Sequence, residues 1–148
     1  MVNFRRMKLG DLDSIYKDPE IRSIITTSPK EQKFSVVIEE DNSIKGGASG
    51  YVVENVAFMQ NIVVKKHKDS AVYKDGLIRS MIHFLELDGM DFLFVEEENN
   101  IYEEIGFSKM QRDESFYSNF KESLKDEIKN SNLVYWISFK EFFKENDS

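Results

Sequence analysis

The stretch that decides the fold is AFMQNIVV at residues 57–64, followed by KKHKDS at 65–70, AVYKDGLIRSMIHFLELDG at 71–89 and DFLFV at 91–95. The first segment is the most apolar in the chain and reads as a strand. In the third, Leu77, Ile78, Met81, Ile82 and Leu85 recur at three- and four-residue spacing, one apolar stripe of a helix over about 72–88. Gly89 marks its end. The last segment is a short apolar run, the pattern of a buried strand. Strand, helix and strand in this order predict a βαβ unit with two parallel strands. A ligand site is expected beyond the C-terminal ends of those strands, at the N-terminus of the connecting helix.

Upstream, residues 2–9 alternate as a strand, and short helices are predicted at 11–16 and 19–25. Residues 33–39 place Phe34, Val36 and Ile38 on one strand face. The turn at 40–43 joins them in a hairpin to 44–54. Gly46, Gly47 and Gly50 point to a bulge or a close backbone approach in that second strand. Downstream, a short helix at 99–104 ends at Gly106 and a strand starts at Phe107. Phe116, Phe120, Leu124 and Ile128 recur every four residues and predict one helix over 114–130. Residues 133–139 alternate as the last strand, and the polar end from Lys144 is expected to fray. The sum is an α/β (α+β) chain with a mixed sheet, one domain over 1–148.

The chain has 148 residues, 41% of them apolar, and a net charge of −7 from 20 basic and 27 acidic side chains. That apolar fraction supports a packed core. The acidic balance argues against nucleic acid as partner and favours cationic ones such as amines. With no cysteine, thiol catalysis, disulfides and cysteine-ligated metals are excluded. His67 and His83 are the two histidines; neither is a convincing catalyst, and no metal site is expected. Nothing approaches the roughly 18 apolar residues of a membrane span, so no membrane partner and a cytoplasmic location are expected.

The element order, with Tyr102-Glu103-Glu104-Ile105-Gly106-Phe107, resembles the GNAT family of acetyl-CoA-dependent N-acetyltransferases, whose Y-x-x-[LI]-G-F element these residues match. The resemblance implies a mostly antiparallel sheet with one parallel pair, flanked by helices. It implies acetyl-CoA as co-substrate, a small-molecule or peptidyl amine as acceptor, and room for a homodimer. Tyr102 matches the family's general acid, which protonates the departing coenzyme thiolate. The same tyrosine could equally be a packing residue. Coenzyme contacts fall on Ile62, Val63 and Val64 at the end of the fourth strand and on Ser70, Ala71, Val72, Tyr73, Lys74 and Asp75 at the helix start.

The family's pyrophosphate loop, [QR]-x-x-G-x-[GA], aligns with Asp69 at the Arg/Gln position and with Val72 and Lys74 at the glycines. Every signature residue is replaced. Asp69 repels phosphate, whereas Lys74, Lys65, Lys66 and Lys68 attract it, and the helix amides persist whatever the side chains. The fourth strand holds no carboxylate. Glu54, the nearest in sequence, is the candidate base. Glu96, Glu97 and Glu98 read first as charges stabilising a helix N-terminus, and second as an acidic rim for an amine. The degenerate loop supports a rival reading, a GNAT-like binding or assembly module without catalysis.

Overall fold

The computed structural model describes residues 1–25 and 32–146. One seven-stranded sheet organises it, built from β1 (Val2–Arg6), β2 (Lys33–Glu40), β3 (Ser43–Val53), β4 (Val56–Val64), β5 (Phe92–Val95), β6 (Ser108–Lys109) and β7 (Tyr135–Ser138). Their order is β1-β2-β3-β4-β5-β7-β6. The β4–β5 pair is parallel and the others are antiparallel. Helix α2 (Ser70–Leu87) makes the crossover between β4 and β5.

The helix buries its stripe of Leu77, Ile78, Met81, Ile82 and Leu85 against Val36, Ile38, Ala57, Met59, Leu93 and Val95 on one sheet face. The short α3 (Asn100–Ile105) and the terminal α6 (Phe139–Asn146) join that layer. On the other face, α4 (Glu114–Tyr117) and α5 (Glu122–Asn130) cover Tyr51, Phe58 and Phe94. Helix α1 (Leu12–Lys17) and a 3-10 turn at Arg22–Ile24 cover Val37 and Ile44 there.

Four expectations are corrected. The stretch 19–25 holds a 3-10 turn at Arg22–Ile24 in place of a helix. The single helix over 114–130 is two, because Asn119 Nδ2 donates to the Ser115 and Phe116 carbonyls and closes α4 early. The strand after Gly106 has two residues only. Past Ser138 the chain turns into α6, which runs through the residues expected to fray as far as Asn146; 147–148 lie outside the described residues.

Gly50 is the close approach that the glycines foretold. A Cβ there would lie 1.9 Å from the Phe58 carbonyl oxygen. The register shifts between Ser49 and Gly50, so that Met59 pairs with Gly50, Asn61 with Ser49, and Gln60 is left between them.

Candidate functional site: a cleft where two parallel strands part

β4 and β5 pair only from Val56–Phe92 to Met59–Val95. β5 then ends, and β4 runs on to Val64 beside β3. Over Ile62–Val64 the edge of β4 away from β3 carries no strand among the described residues, so its outward N–H and C=O groups are open to a ligand.

That edge, the first turns of α2 and the start of α3 enclose a cleft of about 870 Å³. Of the coenzyme positions expected from sequence, Ile62, Val63, Val64, Ser70, Ala71, Val72, Lys74 and Asp75 all line it, with Asn99, Asn100, Ile101 and Glu104 opposite. Tyr73 does not. Its ring is buried on the far side of α2, stacked on His67, and its hydroxyl donates to Glu40 Oε2 at 2.9 Å. The correction follows from helical geometry: one residue in a turn must face the sheet.

The loop before α2 is ordered by groups that spacing did not reveal. His67 Nδ1 accepts the Asp69 N–H at 3.1 Å, and Ser70 N–H donates to the His67 carbonyl. Asp69 is the N-cap residue but makes no side-chain cap, so the positive end of an 18-residue helix opens on the cleft. Lys65 is drawn away to Asp18, 2.5 Å distant, and Lys66 and Lys68 are exposed. Val72 is 69% exposed and Asp75 is paired with Arg79 at 2.8 Å.

Glu54 does not belong to this site. It sits in the turn before β4, at the opposite end of that strand from Val64, with φ of 54° and contacts to Ser123 and Lys121. From Val56 to Ile62 alone is six residues of strand, about 20 Å at about 3.3 Å each. Glu97 and Glu96 both stand at the right end, outside the cleft lining; Glu96 is the first residue after β5. Partial burial raises its pKa above the ordinary value, and a backbone hydrogen bond at Asn132 opposes that only in part.

Tyr102 lies in α3, whose last turn closes on Gly106 at φ 132°, a conformation that favours glycine. Phe107 then packs edge-on to the Tyr102 ring at 5.2 Å. These contacts explain the Tyr102–Phe107 pattern as architecture. The ring is fully buried and is not part of the cleft wall. Its hydroxyl donates to Glu97 Oε1 at 2.9 Å, and the same oxygen accepts Lys74 Nζ at 2.7 Å. Burial first, and the Glu97 carboxylate next, push the phenol pKa far up.

No protein-family model matches the sequence, and no curated protein does. Solved structures do match in fold. The N-acetylglutamate synthase of Neisseria gonorrhoeae complexed with coenzyme A and N-acetyl-glutamate aligns with TM-score 0.66 at 16% identity, over 94% of this chain and 35% of that one. This chain therefore spans about a third of that enzyme's length. The ribosomal-protein-S18-alanine N-acetyltransferase of Escherichia coli aligns with TM-score 0.64 at 15% identity, over 94% of both chains. A GNAT acetyltransferase from Brucella melitensis in complex with acetyl-CoA aligns with TM-score 0.58 at 17% identity, over 73% of this chain and 83% of that one. The chain has the GNAT fold, as the sequence resemblance implied.

Among the described residues no cluster of three or more acidic or histidine side chains could hold a metal, and no helix is long and apolar enough to cross a membrane.

Proposed function

We propose that this protein is an acetyl-CoA-dependent N-acetyltransferase, transferring acetyl to a primary amine of a small molecule or peptide by direct attack. The observation that carries the reading is the cleft at the parting of β4 and β5, with the open edge of Ile62–Val64 on one wall and the α2 N-terminus on another. The residues present fit the coenzyme. Outward backbone groups of Ile62–Val64 bind an amide-bearing chain and polarise a thioester carbonyl, and the uncapped amides of α2 take pyrophosphate. Glu96 replaces Glu54 as the base that takes the proton from the acceptor ammonium, because it stands where β5 ends. Its raised pKa makes it a stronger base than an exposed carboxylate.

The second reading, a binding module without catalysis, is favoured by Val72 and Asp69. One places an apolar side chain, and the other a negative charge, where the loop would meet phosphate.

Thermal unfolding with and without acetyl-CoA, followed by mass spectrometry of candidate amines, tests both. Acetyl-CoA at 100 times its Kd adds about 2.7 kcal/mol of stability. Stabilisation with acetylated product supports the enzyme. Stabilisation with no product from any amine class supports the module, and no stabilisation overturns coenzyme binding.

A further inference from the structure

We propose that Lys74 is the group that meets the leaving sulfur, and that Glu97 and Tyr102 are positioning residues that hold it there. This rests on the acetyltransferase reading above. Lys74 is the only cationic side chain lining the cleft among the described residues. From α2 its ammonium reaches Glu97, the second residue past the end of β5, beside the point where the two strands separate. An ammonium has three N–H donors. Glu97 Oε1 takes one at 2.7 Å and fixes the group's position.

Tyr102 is set the other way. Its hydroxyl proton points at Glu97 rather than into the cleft, and the ring has no exposed surface. Giving that proton up would leave a phenolate buried beside a carboxylate, the costliest arrangement of charge available here. Tyr102 therefore acts through Glu97: two donors on one oxygen keep the carboxylate, and with it the lysine, in place. Around them, Asp75 is occupied by Arg79, Glu103 accepts from Tyr135, and Glu104 lines the α3 side of the cleft.

The acceptor ammonium gives one proton to Glu96, which releases it to solvent; the neutral nitrogen then bonds to the carbonyl carbon and gives its second proton to the re-ionised Glu96. The carbon–sulfur bond breaks with its electron pair on sulfur. The Lys74 ammonium pairs with the thiolate, which then takes a proton from solvent. A thiolate is a weaker base than an aliphatic amine, so proton transfer from an ammonium to sulfur is uphill and Lys74 acts through its charge.

Coenzyme A itself is the probe, because its thiolate absorbs in the ultraviolet where the thiol does not. Bound to the native protein, the thiol is expected to titrate at least about one unit below ~8.5. Bound to Lys74→Met it titrates as in free solution, and Lys74→Arg, which keeps the charge, retains most of the shift. Lys74→Met lowers kcat about 10²-fold, as removal of one charge-stabilising donor does, with Kd for coenzyme A changed less than about threefold. Tyr102→Phe reduces both the thiol shift and kcat, by less than Lys74→Met.

An unchanged thiol titration in Lys74→Met overturns the proposal. So does a weakened Kd with unchanged kcat, which makes Lys74 a phosphate anchor. Loss of turnover in Tyr102→Phe with the full thiol shift retained returns the acid role to Tyr102. Each of these leaves the acetyltransferase reading standing, whereas failure of the native protein to bind coenzyme A removes that reading as well.

Discussion

Val72 leaves 69% of a branched apolar side chain in water at the mouth of a cleft, in the first turn of a helix. Replacing it by alanine improves helix propensity and clears the approach to the α2 amides. Val72→Ala is expected to tighten acetyl-CoA binding about tenfold, or about 1.4 kcal/mol; calorimetry showing no gain would place the phosphates elsewhere. Glu96 makes a second prediction. Burial raises its folded pKa, so ionising it opposes folding, and its contribution to stability declines as pH rises from the ordinary carboxylate value through the raised one. Catalysis needs the ionised form, so kcat/KM climbs through that same raised pKa, above the ordinary carboxylate range. Glu96→Gln should flatten this acidic limb and lower kcat/KM by about 10²–10⁴. It should also raise the Tm at neutral pH. A Tm that falls, or a limb that persists, would remove Glu96 from the site.

At the scale of elements, the bulge in β3–β4 is held open by the lack of a side chain at Gly50. Gly50→Ala would push a Cβ to 1.9 Å from the Phe58 carbonyl oxygen and 2.9 Å from the Met59 Cα, both backbone. The strands must separate there, so a loss of about 1–3 kcal/mol in urea denaturation is expected; a neutral substitution would show that the pairing yields cheaply. Periodicity made β4, α2 and β5 legible, since each has one apolar face and clear punctuation. It failed at α4–α5, where Phe116, Phe120, Leu124 and Ile128 keep helical spacing across a break made by Asn119 hydrogen bonds. The cleft-lining positions on β4 and α2 were readable from the crossover and the family resemblance together, whereas Asn99, Asn100, Ile101 and Glu104 on the α3 side were not. The link from Lys74 through Glu97 to Tyr102 was not, because it joins α2, the loop after β5 and α3 by long side chains whose reach leaves no trace in spacing. Glu54 was misplaced because nearness in sequence to β4 is not nearness to its C-terminal end.

For the molecule as a whole, the single tryptophan, Trp136, sits in β7 under α4, with its ring 5.2 Å from Phe116 and 6.5 Å from Phe94. Its emission therefore reports on the layer that covers the face opposite α2. Phe116→Ala empties a buried site in that layer and should cost about 3–5 kcal/mol. In the native protein, Trp136 emission and helical circular dichroism are expected to melt together, as in a two-state domain. A tryptophan transition that comes first would show α4 and α5 lifting off as a separate unit.

The strand order also bears on how the chain emerges from the ribosome. β5 adds to β4 as soon as α2 is made, but its other neighbour is β7, which arrives roughly forty residues later and inserts between β5 and β6. At about 5–20 residues per second, the outer edge of Phe92–Val95 stays unpaired for about 2–8 s of synthesis. A four-residue apolar edge is a template for pairing with another nascent chain. During that interval a chaperone, rather than β7, is the natural cover for β5.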